Sequence, residues 1–174
     1  IIPNPVDAGA LSRLAVKKIT LPEFGDAALP LFVSVGRLTR QKGMDRLIKW
    51  MAAMRIKANL IIMGSGEQRE NLLSIILHER LEQQVKLIDF QDNPFPYMAA
   101  ANAVVLGSHW EGLPNVGLEA LALGKTVIAT GECGGLVGMK LRYMIDDLII
   151  AETGDQFIAE MDQIAKNYAQ SKAR

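Results

Sequence analysis

Short aliphatic and β-branched runs alternate along this chain with stretches whose apolar positions recur every three or four residues, the pattern of strand-helix units around a parallel sheet. Leu31-Phe32-Val33-Ser34-Val35 predicts a first buried strand. A polar loop follows, Gly36-Arg37-Leu38-Thr39-Arg40-Gln41-Lys42-Gly43, and Leu47, Ile48, Met51 and Met54 then fall at helical spacing. Leu60 to Met63 predicts a second strand, Gly64-Ser65-Gly66 a turn, and Leu72, Leu73, Ile76 and Leu77 the apolar stripe of the next helix. Val85-Lys86-Leu87-Ile88 reads as a third strand, residues 93–101 as a short helix interrupted by Pro94 and Pro96, and Ala103 to Leu106 as a fourth strand. After Gly107-Ser108-His109-Trp110-Glu111-Gly112-Leu113, Pro114 suits the first turn of a helix running to Leu123. Gly124 caps that helix, and Thr126-Val127-Ile128-Ala129 makes a fifth strand.

The flanks are less regular. Residues 131–150 are glycine-rich and then apolar, without a clear period, while Phe157, Ile158, Met161 and Ile164 give a terminal helix over 155–167. Residues 1–30 read as a lead-in that wraps toward the sheet, with a helix from Ala8 to Ile19 before the break at Pro22. No repeat of fixed period and no Pro/Ser-rich linker divides the chain. The expectation is one domain over 1–174, an α/β fold with a Rossmann-like, doubly wound parallel sheet of five strands.

Charge and composition narrow the function. The 174 residues balance 19 Lys+Arg against 19 Asp+Glu, so there is no basic excess of the kind that holds nucleic acid. With a hydrophobic fraction of 49%, disorder is excluded. The longest apolar runs, such as Ala103-Val104-Val105-Leu106, fall far short of the roughly twenty residues of a membrane span. A single cysteine, Cys133, fits a reducing cytoplasm and argues against a cysteine-histidine zinc cage. The Ile1-Ile2-Pro3-Asn4-Pro5 start has neither an initiator Met nor a signal-peptide pattern, and suggests a piece of a longer protein.

In an open parallel sheet, ligands sit beyond the carboxyl ends of the strands, so the loops leaving strands are where chemistry is sought. Arg37 and Lys42, flanked by Gly36 and Gly43, form either a phosphate clamp at a helix start or two solvated cations. Gly64-Ser65-Gly66 lacks the third glycine of a dinucleotide fingerprint and reads as a turn more than a ligand loop. Glu111-Gly112-Leu113-Pro114-Asn115 ends at a helix N-terminus whose free N–H groups suit a diphosphate. Glu119, about one turn further, could grip sugar or ribose hydroxyls, and Glu111 could hold a second sugar. The alternative is that Glu119 only complements the helix dipole and Glu111 is solvated. His78 belongs to a helix and His109 to a loop, and neither is a candidate base.

Taken together, these motifs resemble the C-terminal domain of glycosyltransferase family four, the retaining nucleotide-sugar transferases of the two-domain GT-B fold. The resemblance covers Ile2-Pro3-Asn4-Pro5-Val6-Asp7, Val35-Gly36-Arg37-Leu38 through Lys42-Gly43, and Ser108 to Glu119 with Glu111 and Glu119 at the family's spacing. It continues through Leu121-Ala122-Leu123-Gly124-Lys125-Thr126-Val127-Ile128-Ala129 and Gly134-Gly135. It implies that Arg37 and Lys42 hold the donor diphosphate, that Glu119 binds the ribose, and that Glu111 contacts the transferred sugar. Backbone groups around Gly36, Gly112, Leu113, Pro114, Asn115 and Val116 would complete the diphosphate site, and the base would rest at Phe90-Gln91. Two departures stand out: Leu136-Val137-Gly138 follows the glycine pair where the family often has a proline and a glutamate, and Gly107 replaces a proline before Ser108.

The implied protein moves a sugar from a nucleoside-diphosphate sugar, UDP-linked by preference, to a glycan or lipid-linked acceptor. No Asp-x-Asp pair is present, in line with a transferase that needs neither metal nor cofactor. The acceptor domain would be the missing N-terminal half, leaving this chain inactive alone. The full-length enzyme is expected in the cytoplasm, with any peripheral attachment to the inner membrane made through the missing half. The alternatives are a nucleotide-sugar epimerase or phosphorylase of the same architecture, and a non-catalytic nucleotide-binding module.

Overall fold

The computed structural model describes residues 6–172. The Ile2-Pro3-Asn4-Pro5 part of the resemblance lies outside the described residues. In chain order the elements are α1 (Ala8–Ala15), β1 (Leu31–Val35), α2 (Met44–Ala53), β2 (Asn59–Met63), α3 (Arg69–His78), β3 (Val85–Ile88) and α4 (Phe95–Ala100). They continue with β4 (Ala103–Leu106), α5 (Asn115–Ala122), β5 (Thr126–Thr130), α6 (Gly134–Tyr143), β6 (Leu148–Ala151) and α7 (Gly154–Lys172). A single 3₁₀ turn over Arg40–Lys42 interrupts the polar loop after β1.

All six strands are parallel, in the order β3-β2-β1-β4-β5-β6. This is the expected α/β class, a Rossmann-like, doubly wound sheet, with one strand more than the sequence suggested. Strands covered on both faces must be apolar at nearly every position, and β2 and β4 are buried along their whole length. Alternate side chains feed two cores. Phe32, Leu60, Ile62, Val105 and Ile128 pack beneath α2, α3 and α7 through Leu47, Ile48, Leu72, Phe157 and Met161. Val33, Ile61, Val104, Leu106 and Val127 pack beneath α4, α5 and α6 through Met98, Leu118 and Leu136. Because strand order reverses between β1 and β4, the helices leaving these neighbours lie on opposite faces. A crevice opens at the carboxyl ends of the two strands.

Several boundaries differ from expectation. The sixth strand, β6, and the preceding α6 occupy the stretch left unassigned; α6 buries only Leu136, so its sequence carries almost no helical stripe. α1 stops at Ala15 rather than Ile19. The carbonyl of Leu14 is taken there by the Asn93 side chain at 3.0 Å, and Val16 is left exposed. Pro94 and Pro96 begin α4 instead of interrupting it, since a first turn needs no N–H from those positions. Pro114 stands just before α5 rather than inside it. α7 spans 19 residues, longer at both ends than its apolar stripe.

Candidate functional site

Three loops converge where the strand order reverses. The loop after β1 and the loop after β4 touch at Gly43 and Gly107: Gly43 has φ +59, and a Cβ there would stand 1.9 Å from the Gly107 carbonyl oxygen. Only glycine allows that approach and that backbone conformation together. Further along, the His109 N–H donates to the Gln41 carbonyl at 2.8 Å and the Gln41 amide to the Trp110 carbonyl at 3.0 Å. The loop after β5 closes the group. The Glu111 N–H donates to the Glu132 carbonyl at 3.0 Å, and the first N–H groups of α6, from Gly134 and Gly135, donate to the carbonyls of Glu111 and Gly112 at 3.1 and 2.6 Å. Glu111 therefore sits where all three loops are tied together.

The side chains of Lys42 and Glu111, 69 residues apart in sequence, form an ion pair at 2.5 Å. They are 16% and 14% exposed, and the Ser108 hydroxyl donates to the same carboxylate oxygen at 3.3 Å. The Lys42 methylenes fill the space beside Gly36, 3.5 Å from where a Cβ would be. Burying such a pair costs desolvation that offsets its attraction, so it fixes position more than it stabilises the fold. Arg37 is exposed, and its guanidinium has no partner among the described residues. The two cations expected to act as one clamp thus stand in different states, Lys42 committed to Glu111 and Arg37 open to an incoming anion.

α5 begins opposite these groups. Its first turn has no carboxylate and no side-chain cap, whereas α2 and α3 carry Asp45 and Glu70 in theirs. The α5 end thus keeps its partial positive charge, as an anion site requires. Glu119, further along α5, is half-buried, its carboxylate has no hydrogen-bond or ion-pair partner among the described residues, and burial pushes that carboxyl up from the ordinary range. Gly112 is exposed at the tip of the loop, Leu113 and Val116 are half-buried, and Pro114 is buried.

A cleft of about 240 Å³ opens at the ends of β1, β2 and β3, lined by Val35, Gly36, Arg37, Met63, Gly64, Ser65, Phe90 and Gln91. It unites the Gly36-Arg37 and Phe90-Gln91 candidates. The turn after β2, which the sequence left with a structural role, supplies a wall: Leu38 N–H donates to the Ser65 carbonyl at 2.8 Å, which sets this turn beside the loop after β1. Met63 and Ser65 carried no signal of their own, because only the sheet brings them beside Phe90. A larger hollow of about 700 Å³ lies between the end of α2 and α7, away from the strand ends. Its Asp162 carboxylate already accepts the N–H groups of Arg55 and Ile56 at 3.0 Å.

Cys133 is buried, and burial chiefly pushes its thiol up, so it is no ready nucleophile. Among the described residues no three His, Cys, Asp or Glu side chains are grouped to hold a metal ion, and no helix is long and apolar enough to cross a membrane.

The sequence matches the family described as Glycosyl transferases group 1 over residues 25–173. It is 38% identical over 136 residues to an uncharacterised glycosyltransferase of Methanocaldococcus jannaschii, covering 75% of this chain and 33% of that protein. It is 32% identical over 135 residues to the N-acetylgalactosamine-N,N'-diacetylbacillosaminyl-diphospho-undecaprenol 4-alpha-N-acetylgalactosaminyltransferase of Campylobacter jejuni, covering 78% and 35%. Among solved structures, the apo form of the lipopolysaccharide outer core galactosyltransferase WaaB matches with a TM-score of 0.71 at 23% identity, over 88% of this chain and 44% of that one. Anabaena HepE in complex with UDP-glucose matches with a TM-score of 0.67 at 25% identity, over 82% and 40%. The chain spans about a third of the length of these curated relatives.

Proposed function

The chain belongs to the group 1 glycosyl transferases, and from that premise we propose that it is the donor-binding, C-terminal domain of a two-domain GT-B enzyme of glycosyltransferase family four. The full protein would transfer a sugar from a UDP-sugar to a glycan or lipid-linked acceptor, with retention and without a metal. The observation that carries this reading is the unpartnered Arg37 at the mouth of the cleft, across the strand-order reversal from the uncapped start of α5. A nucleobase fits the cleft between the strand ends and Phe90. The diphosphate then lies between Arg37 and the N–H groups from Asn115 onward, and Glu119 takes ribose hydroxyls. HepE, a structural relative that holds UDP-glucose, supports the choice of uridine.

As the glycosidic bond breaks, negative charge gathers on the departing diphosphate, and donors fixed beforehand in a half-buried site stabilise it better than water does. Arg37, which has no partner among the described residues, can do this at once, and the dipole of α5 adds to it. Lys42 joins them by exchanging Glu111 for phosphate oxygens, and the released Glu111 accepts hydrogen bonds from the sugar hydroxyls. The acceptor would be bound by polypeptide beyond this chain. The Campylobacter jejuni relative, whose name describes a diphospho-undecaprenol-linked substrate, supports a lipid-linked or glycan acceptor.

Calorimetric titration of the chain with UDP, GDP and ADP tests this reading. Selective UDP binding, weakened about tenfold or more in Arg37→Ala by loss of a charge-assisted contact, is the expected outcome. Equal binding of all three, or binding indifferent to Arg37, would sink it.

A further inference from the structure

Arg46 stands in the first turn of α2, beyond the left-handed Gly43 that separates it from Lys42. Its Nη1 lies 3.4 Å from the Ser108 carbonyl oxygen, 3.3 Å from His109 Nδ1 and 3.5 Å from Glu132 Oε1. A guanidinium only donates, so in this contact His109 presents Nδ1 as the acceptor. The guanidinium also stands over the Trp50 ring, 4.9 Å from its centroid, and Trp50 stacks on Phe157 of α7 with centroids 4.4 Å apart. Its side chain is 22% exposed. One side chain thus joins α2, the loop after β4 and the loop after β5, braced from behind by an aromatic pair.

Its contacts lead to Glu111 by separate routes. Ser108, whose carbonyl accepts from Arg46, donates its own hydroxyl to the Glu111 carboxylate at 3.3 Å. Glu132, whose carboxylate pairs with Arg46, holds the Glu111 N–H on its carbonyl at 3.0 Å. We propose that Arg46 is a positioning residue: by tying both loops to α2 it sets the Glu111 carboxylate against Lys42, at the point where sugar meets diphosphate. The proposal rests on the donor-site reading above. Arginine suits the task because the N–H groups of Nη1 can serve both loops while the flat, delocalised guanidinium lies over an indole, which the compact, strongly hydrated ammonium of a lysine does less well.

The test combines amide hydrogen exchange, followed by NMR, with titration of the chain by UDP and by UDP-glucose. Arg46→Met keeps the apolar stem and removes every donor, Arg46→Lys keeps the charge, and Glu132→Gln weakens one arm by removing the charge of an exposed carboxylate while leaving an acceptor. In Arg46→Met the amides of Glu111 and Gly134 should exchange about tenfold faster while those of β1 and β4 hold, and affinity for the UDP-sugar should drop several-fold relative to UDP, because Glu111 is placed against the sugar. Arg46→Lys should recover part of both, and Glu132→Gln should shift them the same way by less. Unchanged exchange at Glu111 in Arg46→Met, or equal acceleration through every strand, would overturn the proposal. Local acceleration in a chain that binds no UDP even in its native sequence would uphold the positioning and refute the donor reading instead.

Discussion

Among the described residues the Glu119 carboxylate has no partner, and it is half-buried where an apolar side chain would stabilise the domain more, which makes a two-sided prediction. Its folded pKa is raised by burial above the ordinary value of 4.5. As pH climbs past that value the unfolded chain ionises while the folded one resists, so stability is lost with rising pH until the folded group has also ionised. Glu119→Gln should therefore unfold at a higher temperature than the native chain at neutral pH, with the gap closing below about pH 4. If Glu119 grips the ribose, the same variant binds UDP about tenfold more weakly, the loss of a hydrogen bond to a charged group. Calorimetric unfolding across pH and UDP titration check the two halves; a variant that is neither more stable nor weaker in binding would remove Glu119 from the site. Glu111→Gln separates the remaining roles. It leaves Lys42 without its competing partner, so UDP should bind more tightly while UDP-sugar loses part of that gain, and equal changes for the two ligands would deny Glu111 a sugar contact.

At the scale of elements, the loops are held by close approach, and two glycines with similar backbone angles show how much the surroundings decide. Gly43 and Gly124 both have left-handed φ, +59 and +68, but a Cβ at Gly124 meets nothing within 4 Å whereas one at Gly43 runs into the Gly107 carbonyl. Gly124→Ala should cost about 1 kcal/mol, the strain of the left-handed conformation alone. Gly43→Ala adds a collision between two backbones and should cost about 3 kcal/mol or more. Denaturant unfolding of both variants gives the order, and equal losses would mean the loops are not in contact. These loops were legible in sequence as candidates because their glycines, prolines and charges break the apolar alternation at the strand ends. Their union was not. The pairing of Lys42 with Glu111 joins positions 69 residues apart, and only the adjacency of β1 and β4 in the sheet makes them neighbours. Strands β1, β2, β4 and β5 could be read because burial on both faces makes them largely apolar runs, and β3, an edge strand buried only at Val85, from a shorter aliphatic run interrupted by Lys86. α6 could not be, since Gly134, Gly135 and Gly138 leave it one buried side chain, and its hidden strand partner β6 is an edge strand of four residues. Arg46 carried no signal in the sequence, because its partners lie on loops that only the fold brings to the first turn of α2.

In the whole molecule, one edge of the sheet carries every group assigned to the donor, and the net charge of +0 supplies no long-range attraction for it. UDP recognition by this chain should then depend on short-range contacts to Arg37 and the α5 end. Raising salt from about 0.05 to about 0.5 M, which shortens the screening length to a few ångströms, should weaken binding by a few-fold rather than abolish it. The same edge offers a single wall. The chain spans about a third of its curated relatives, and a transfer reaction needs donor and acceptor held in contact with water excluded, which one wall of a crevice does not provide. The 174-residue chain should therefore bind UDP with a Kd of about 0.1–1 mM, roughly 4 to 5.5 kcal/mol, and release neither free sugar nor glycosylated product from a UDP-sugar. On the two-domain reading proposed above, a full-length protein carrying the acceptor domain should bind the same nucleotide more tightly, because closure over Arg37 and Phe90 would remove the solvent that competes for them. Product formed by the chain alone would show that the acceptor contacts are already present on this edge, and equal affinity in chain and full protein would show that the second wall leaves the donor untouched.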